Sequence, residues 1–166
     1  MDLFEPSDPE FSKAMAKAVR YLSIRPRSSF EMAEYLRAKG FKTDSVDSVI
    51  KTLEQDRYLD DRAFAKMFID SRLRNNPKSK FTLKLELKKK GIAQPIVDDS
   101  TEDLDDLKLA LSAVNRKMTS WAKIQDKESV KKKFFNYLSY RGFGYDVALE
   151  IWHRFVSLQD NSLSKF

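Results

Sequence analysis

The stretch YLRAKGF at residues 35–41 recurs in altered form as ELKKKGI at 86–92 and YLSYRGF at 137–143. Each copy has Leu in second place, a basic residue in fifth, Gly in sixth and a large apolar residue in seventh. The chain has 166 residues and only four glycines, and three of them lie 51 residues apart, at Gly40, Gly91 and Gly142. Because glycine readily adopts the left-handed backbone that ends a helix, the spacing predicts three copies of one helical unit.

The first copy shows the local signals of this unit most clearly. Ser28 and Glu31 have the spacing of a capping box, which predicts a helix from there to Lys39. A second helix is expected to begin near Asp44, where apolar residues follow at intervals of three and four. Another apolar stripe at helical spacing starts at Phe11, ahead of both. Each unit is therefore predicted to contain three helices, with the glycine between the second and the third.

The segment FTLKLELK at 81–88 alternates apolar and polar residues, a pattern that is typical of a strand. Its counterpart one repeat earlier, at 30–37, does not alternate and follows the capping box. The repeat therefore predicts a helix over 79–90. On that helix, Lys80, Lys84 and Lys88 are four residues apart and are expected to form one basic stripe.

The predicted fold class is all-α, with three tandem three-helix, helix-turn-helix-like repeats in an elongated arrangement. Asp60 is expected to cap the first helix of the second repeat, and Pro77 is expected to end a connection and start the next helix. The third repeat is predicted to begin with one long helix over 104–121, followed by helices over 127–141 and 145–158. The predicted boundaries are a tail at 1–10, repeats at 11–58, 59–103 and 104–158, and a tail at 159–166.

The charge of the chain is uneven, with a net value of +6. Residues 62–91 hold ten Lys and Arg against two acids, a net of +8, whereas residues 98–106 carry six acids and no base. Basic stretches of this density favour polyanions such as nucleic acid. Charge alone fits a solvated helix face equally well.

The composition excludes several classes of protein. The absence of cysteine excludes disulfides and thiolate zinc sites, and His153 is the only histidine. No apolar run approaches the roughly 18 residues that span a bilayer, and the N-terminus lacks a secretory pattern. We expect a cytoplasmic protein that needs no metal, cofactor or membrane. Capping is the favoured role of Asp60 and Asp61, although carboxylates in this setting could also bind a metal.

No group of residues predicts catalysis. The sequence has neither a nucleophile–base pair nor a glycine-rich phosphate loop. Six tyrosines recur near predicted helix ends, where they are more typical of the rim of a core than of base-stacking positions. The chain is therefore predicted not to be an enzyme.

The stretch 57–92 carries a specific set of motifs: Tyr-Leu-Asp-Asp from Tyr58, then Phe-Ala, Ser-Arg, a Pro, Glu-Leu and a final Lys-Gly-Ile. In this order they resemble the signature of the RecX family of bacterial recombination regulators. Segments 20–28 and 137–155 also resemble the first and last repeats of that family, so the resemblance covers about 14–156. The family usually has Gly before Tyr-Leu-Asp-Asp, where this chain has Arg57.

The resemblance implies three tandem repeats in a monomer that binds the RecA recombinase filament on single-stranded DNA. It implies inhibition of the ATPase, strand-exchange and coprotease activities of RecA, in DNA repair, recombination and the SOS response. Contacts with single-stranded DNA, and with double-stranded DNA, are expected to be non-specific. The expected contact surface comprises Arg72, Arg74, Lys78, Lys80, Lys84, Lys88, Lys89 and Lys90, with Lys131, Lys132 and Arg141 in the third repeat.

Two other functions fit the same residues. Helix-turn-helix units also occur in sequence-specific transcription regulators, although those usually pair as dimers on palindromes. A helical-repeat adaptor for an acidic protein is the third hypothesis. Tight binding to one duplex sequence would favour the regulator of transcription, and no DNA binding at all would favour the adaptor.

Overall fold

The computed structural model of the chain describes residues 8–163, with side chains as far as Ser157. Within those bounds the chain forms ten helices and no strand, which confirms the predicted all-α class. The helices are α1 (Pro9–Leu22), α2 (Ser29–Ala38), α3 (Thr43–Gln55), α4 (Asp61–Asn75), α5 (Lys80–Lys89), α6 (Gln94–Thr101), α7 (Asp106–Asn115), α8 (Met118–Trp121), α9 (Lys127–Tyr140) and α10 (Tyr145–Leu163). None of these is long and apolar enough to cross a membrane.

The three repeated glycines adopt the predicted left-handed backbone. Their φ angles are 86° at Gly40, 74° at Gly91 and 80° at Gly142. At the first corner, the N–H of Gly40 donates to Arg37 O at 2.9 Å and that of Phe41 donates to Leu36 O at 3.3 Å. The other two corners repeat both bonds, one and two intervals of 51 residues later. This is the Schellman motif. In it, the apolar residue directly after the glycine contacts the apolar residue four places before the glycine. It explains the Leu and the final apolar residue of every copy.

Helix α5 forms where the sequence alternates like a strand, as the repeat predicted. Its cap is Ser79, whose Oγ accepts from the N–H of Thr82 at 3.2 Å. Pro77 was predicted to start this helix, and that is wrong, because the helix begins after the cap at Lys80. The predicted caps at Ser28 and Asp60 are confirmed by their bonds to the N–H groups of Glu31, at 3.1 Å, and Ala63, at 3.0 Å.

The long helix predicted over 104–121 is wrong. Helix α7 ends at Asn115 and a short α8 begins at Met118. Between them the N–H of Lys117 donates to Val114 O at 2.7 Å, a tight turn that interrupts the helical pattern. The Arg116 guanidinium holds the turn in place through the carbonyl oxygens of Arg74 and, at 2.9 Å, Asn75. These partners are 41 and 42 residues away, so no local pattern shows them.

The outer helices are longer than predicted. Helix α1 begins at Pro9, because Asp8 accepts from the N–H of Glu10 and proline suits the first helical turn. Helix α10 continues to Leu163, five residues past the predicted end at 158. The remainder of the two predicted tails, residues 1–7 and 164–166, lies outside the described residues.

The chain divides into two compact units. One holds the described residues up to Phe68 together with Glu86–Ser100, and the other holds Ile69–Leu85 with the described residues from Thr101 onward. Helices α4 and α5 therefore each contribute to both units. The three-repeat boundaries describe the sequence pattern and stay a prediction.

Each unit has its own apolar core. In the first unit, buried side chains of α1, α2 and α3 pack together: Ala14, Ala18, Met32, Leu36, Val46, Val49 and Leu53. In the second, the fully buried Phe134 lies at the centre of an aromatic cluster. Its ring centroid is 5.1 Å from that of Trp152, 5.6 Å from that of Trp121 and 5.7 Å from that of Phe155. Contacts of this kind stabilise beyond the area they bury.

Candidate nucleic-acid interface

A junction between repeats lies within the first unit, where the start of α2 meets the end of α5. The Ser28 hydroxyl donates to Lys90 O at 2.6 Å, and the N–H of Ser29 donates to Asp61 Oδ1 at 2.8 Å. A Cβ added at Gly91 would lie 2.1 Å from the Cβ of Phe30. Gly91 is therefore required by close approach as well as by its backbone conformation.

The second unit repeats this junction at the start of α5. The N–H of Ser79 donates to Arg141 O at 3.0 Å, and that of Lys80 donates to Asp106 Oδ1 at 2.7 Å. A Cβ at Gly142 would lie 1.9 Å from Thr82 Oγ1. Sequence reasoning missed that Leu-Asp-Asp occurs twice, at 59–61 and at 104–106. The second Asp of each copy, Asp61 or Asp106, accepts the backbone hydrogen bond at its own junction.

The junctions leave the first corner open. A Cβ at Gly40 would meet nothing within 4 Å. Glu10, which precedes Asp61 by 51 residues, accepts instead from the N–H of Lys42 at 2.9 Å. That bond helps to lower the pKa of Glu10, against burial, which raises it.

Lys90, predicted as a contact residue, is half-buried in an ion-pair network of the first unit. Its Nζ lies 2.6 Å from Glu31 Oε1, and Arg25 reaches the same carboxylate at 3.0 Å. Burial alone would raise the pKa of Glu31, but the hydrogen bonds from Arg25 and Lys90 outweigh it and lower the pKa to about 2. Lys90 therefore stabilises the fold and offers little charge to a ligand.

Arg141 is likewise held within the second unit. Its guanidinium lies 3.7 Å from the centroid of the Tyr137 ring. The Tyr137 hydroxyl donates to Ala113 O at 3.0 Å, so that ring is fixed as well. The backbone oxygen of Arg141 is already used at the junction. The structure therefore assigns this residue a packing role.

The stripe predicted on α5 is not uniformly exposed. Lys80 is half-buried, and its Nζ donates to Glu102 O at 2.8 Å; Lys84 is half-buried and also has a partner. Lys88 is exposed. Residues four apart drift by about 40° around a helix of 3.6 residues per turn, so the stripe runs from the margin of the core to solvent.

Two apolar side chains share the exposed face of α5, and sequence reasoning missed them. Phe81 is 66% exposed and Leu85 is 41% exposed, because the buried Leu83 and Leu87 fix the rotation of the helix. The strand-like alternation concealed this face. With Lys88 and Lys89 on the last turn, the helix presents apolar and basic side chains together.

The remaining predicted contact residues differ in exposure and in whether they have interaction partners. Arg72 and Lys78 are half-buried and have partners, whereas the side chain of Arg74 is exposed. Lys131 and Lys132 on α9 are exposed, and no residue in the described part of the chain forms an ion pair with them. The predicted contact residues that are exposed are therefore Lys88 and Lys89 in the first unit and Arg74, Lys131 and Lys132 in the second.

The acidic residues have local roles. Asp105 caps α7, and Asp99 forms an ion pair with Arg62 at 3.1 Å. Burial raises the pKa of Asp61, against the hydrogen bond from Ser29 that lowers it. Over the described residues, no group of three or more His, Cys, Asp or Glu side chains could hold a metal ion.

Comparisons with known proteins identify the family. Residues 14–53 match the family model "RecX, first three-helix domain", and 60–100 match "RecX, second three-helix domain". The regulatory protein RecX of Prosthecochloris aestuarii is 34% identical over 137 residues, which are 82% of this chain and 89% of that protein. The chain belongs to the RecX family. The RecX of Chlorobium limicola is 35% identical over 144 residues, 87% of this chain and 90% of its own.

Solved RecX structures have the same fold. The crystal structure of RecX from Lactobacillus salivarius superposes with a TM-score of 0.71, covering 88% of this chain and 96% of that one, at 21% identity. A second RecX crystal structure gives a TM-score of 0.66 at 20% identity. The relatives are named regulatory proteins, and a regulatory role fits this chain.

Arg57 stands where the RecX family usually has Gly, and this departure concerned the turn between the first two repeats. In the structure Arg57 has a φ of 59°, the one positive value at a non-glycine residue among those described. The turn thus keeps the conformation that glycine adopts easily, with an arginine in its place.

Proposed function

We propose that this protein is a non-enzymatic regulator that binds RecA and RecA–single-stranded-DNA filaments in the cytoplasm. In this proposal it inhibits the recombinase, ATPase and coprotease activities of RecA during DNA repair and recombination. The observation that carries the proposal is the exposed face of α5, where apolar and basic side chains lie together in a member of the RecX family.

The basic part of that face suits DNA. Lys88 and Lys89 are exposed on the last turn of α5, and neither has an ion-pair partner among the residues described. Lysine contacts with phosphates release counterions and need no particular base sequence. Non-specific binding to single strands, and to duplexes, is what such side chains support.

The apolar part suits a protein surface. Phe81 and Leu85 are four residues apart and are 66% and 41% exposed, although burying such side chains is favourable. Aromatic side chains are enriched at the centres of protein interfaces. A ligand made of protein and DNA together would use both parts of α5, which favours a nucleoprotein filament over naked DNA.

The proposed function is tested by titrating the protein into RecA that hydrolyses ATP on single-stranded DNA. We expect the wild type to inhibit, and to turn over no ATP without RecA. Replacing Lys88 and Lys89 together by Glu should raise the half-inhibitory concentration by about tenfold or more, since each reversed charge repels phosphate. Its folding is checked by circular dichroism.

A matched control is Lys13→Glu with Lys17→Glu, on the exposed side of α1. Both pairs lower the net charge from +6 by four, to +2. The control should inhibit like the wild type. If the wild type leaves RecA unaffected, the function is wrong; if the two variants inhibit equally, α5 is not the contact surface.

A further inference from the structure

The first unit has a pocket of about 210 Å³ beside the turn that leads into α4. Its apolar wall includes Pro26, Phe64 and Met67, and its polar rim includes Arg27, Arg57 and Tyr58. We call it the first-unit pocket. All of its lining residues belong to the first unit.

The size of the first-unit pocket limits its ligand. Pockets for drug-sized molecules are about 300–1,000 Å³, so this one has room for a single ring-sized group. The one carboxylate in its lining belongs to Asp60, which already accepts from the N–H of Ala63 at 3.0 Å. The lining contains no histidine, cysteine or lysine, so the pocket has the character of a binding site.

The rim supplies two cations. The Arg27 guanidinium lies 3.7 Å from the centroid of the Tyr21 ring, and its Nε is buried with no acceptor among the described residues. Arg57 is exposed and has no ion-pair partner in the part of the chain described. An anionic ligand would give the exposed guanidinium of Arg57 an acceptor that the protein itself does not provide, while Arg27 in the same lining adds a second positive charge.

The rim also supplies an aromatic surface. Tyr58 is 70% exposed, directly after Arg57, and Met67 of the wall is 39% exposed. An exposed ring beside cations is the arrangement on which bases of single-stranded nucleic acid stack, because every base has a π-face and is flanked by phosphates.

We propose that the first-unit pocket binds one base of single-stranded DNA, stacked on Tyr58, with the flanking phosphates on Arg27 and Arg57. The proposal rests on the proposed function, since it identifies a second DNA contact of the same regulator. It differs from the α5 face in chemistry, because stacking requires a base and phosphate contacts do not.

The test compares two end-labelled oligomers of equal length and charge, one of thymidylate and one of abasic nucleotides, by fluorescence anisotropy without RecA. The wild type should prefer the thymidylate oligomer, and Tyr58→Ala should lose that preference and bind it about tenfold more weakly. Tyr58→Phe should keep the preference. Tyr140→Ala, at a tyrosine 88% exposed in the second unit, is the matched control and should keep it too.

Arg57→Gly separates binding from folding. Glycine suits the backbone conformation of this residue, so the variant should unfold at a higher urea concentration than the wild type. Its affinity for the thymidylate oligomer should nevertheless fall, and the slope of log affinity against log salt should shrink by about 0.7. Tyr58→Ala removes no charge and should leave that slope unchanged.

The pocket proposal is wrong if the wild type binds the two oligomers equally, or binds neither. It is also wrong if Tyr58→Ala keeps the base preference. Failure of the proposed function is distinguishable, because it appears in the RecA assay while the oligomer comparison contains no RecA.

Discussion

Arg57 ends helix α3 in the way that glycine ends α2, α5 and α9. Its N–H donates to Glu54 O at 3.1 Å, and the N–H of Tyr58 donates to Leu53 O at 2.8 Å, which is again the Schellman pattern. The chain thus has a fourth left-handed corner, occupied by a residue with a Cβ. The left-handed conformation costs an L-residue about 1–2 kcal/mol relative to the right-handed one.

We expect Arg57→Gly to raise the free energy of unfolding by about 0.5–1 kcal/mol, because relief of the strain exceeds the extra entropy of glycine in the unfolded chain. Urea denaturation at neutral pH measures the change. Arg57→Ala is the control and should give no such gain, since alanine keeps the Cβ. Equal midpoints for the Gly variant and the wild type would contradict the expectation.

The ion-paired Glu31 is expected to make the free energy of unfolding depend on pH in the acidic range. Its pKa is lowered from 4.5 to about 2, so its contribution is fully present above pH 4.5 and is lost as the pH falls towards 2. Glu31→Gln should therefore be less stable than the wild type by about 2 kcal/mol at pH 7, and the difference should shrink as the pH falls below 4.5. Urea denaturation at about pH 7, about pH 4 and about pH 2.5 measures this difference in the free energy of unfolding. A difference that is constant with pH would show that the network does not act through this charge.

Helix α5 shows how one element can satisfy two sequence patterns. Its alternation would place all its leucines on one face of a strand, whereas the helix buries Leu83 and Leu87 and exposes Leu85. Its ends decide the outcome, because Ser79 caps one terminus and Gly91 closes the other. Local capping and the repeat together outweigh the period-two pattern.

The corner glycines should differ in their tolerance of a side chain. Gly40→Ala meets only the backbone penalty and should lower the free energy of unfolding by about 1 kcal/mol. Gly91→Ala adds a contact of 2.1 Å with the Cβ of Phe30, an atom that no rotamer change can move. We expect a loss of about 3 kcal/mol or more. Urea denaturation compares the two, and equal losses would show that the junction adapts at no energetic penalty.

At the scale of the whole molecule, the tandem repeat in the sequence predicts an elongated shape. A compact protein of this length has a radius of gyration of about 15 Å. We expect solution scattering to give a clearly larger value, because repeats in series are predicted to contact mainly their neighbours in the sequence. A value near 15 Å would contradict the prediction, and the oligomeric state measured alongside it checks the expected monomer.

The helix ends could be read from the sequence because they depend on residues close together in the chain. The Ser28 cap and the three glycine corners each involve bonds that span five residues or fewer, so spacing alone identifies them. The all-α class and the family resemblance followed from the same short-range patterns. Even the helix at 80–89 required only a comparison with a repeat of the same chain.

The fate of the basic residues depended on distant partners. Lys90 binds a carboxylate 59 residues away, and Lys80 donates to a carbonyl 22 residues away. Lysines with the same charge in the sequence therefore differ in whether they can contact a ligand in the fold. The break after α7 likewise follows from Arg116 and acceptors more than 40 residues distant. Short-range hydrogen bonding decides the capped helix ends, whereas long-range contacts decide the break after α7 and which basic side chains remain for a ligand.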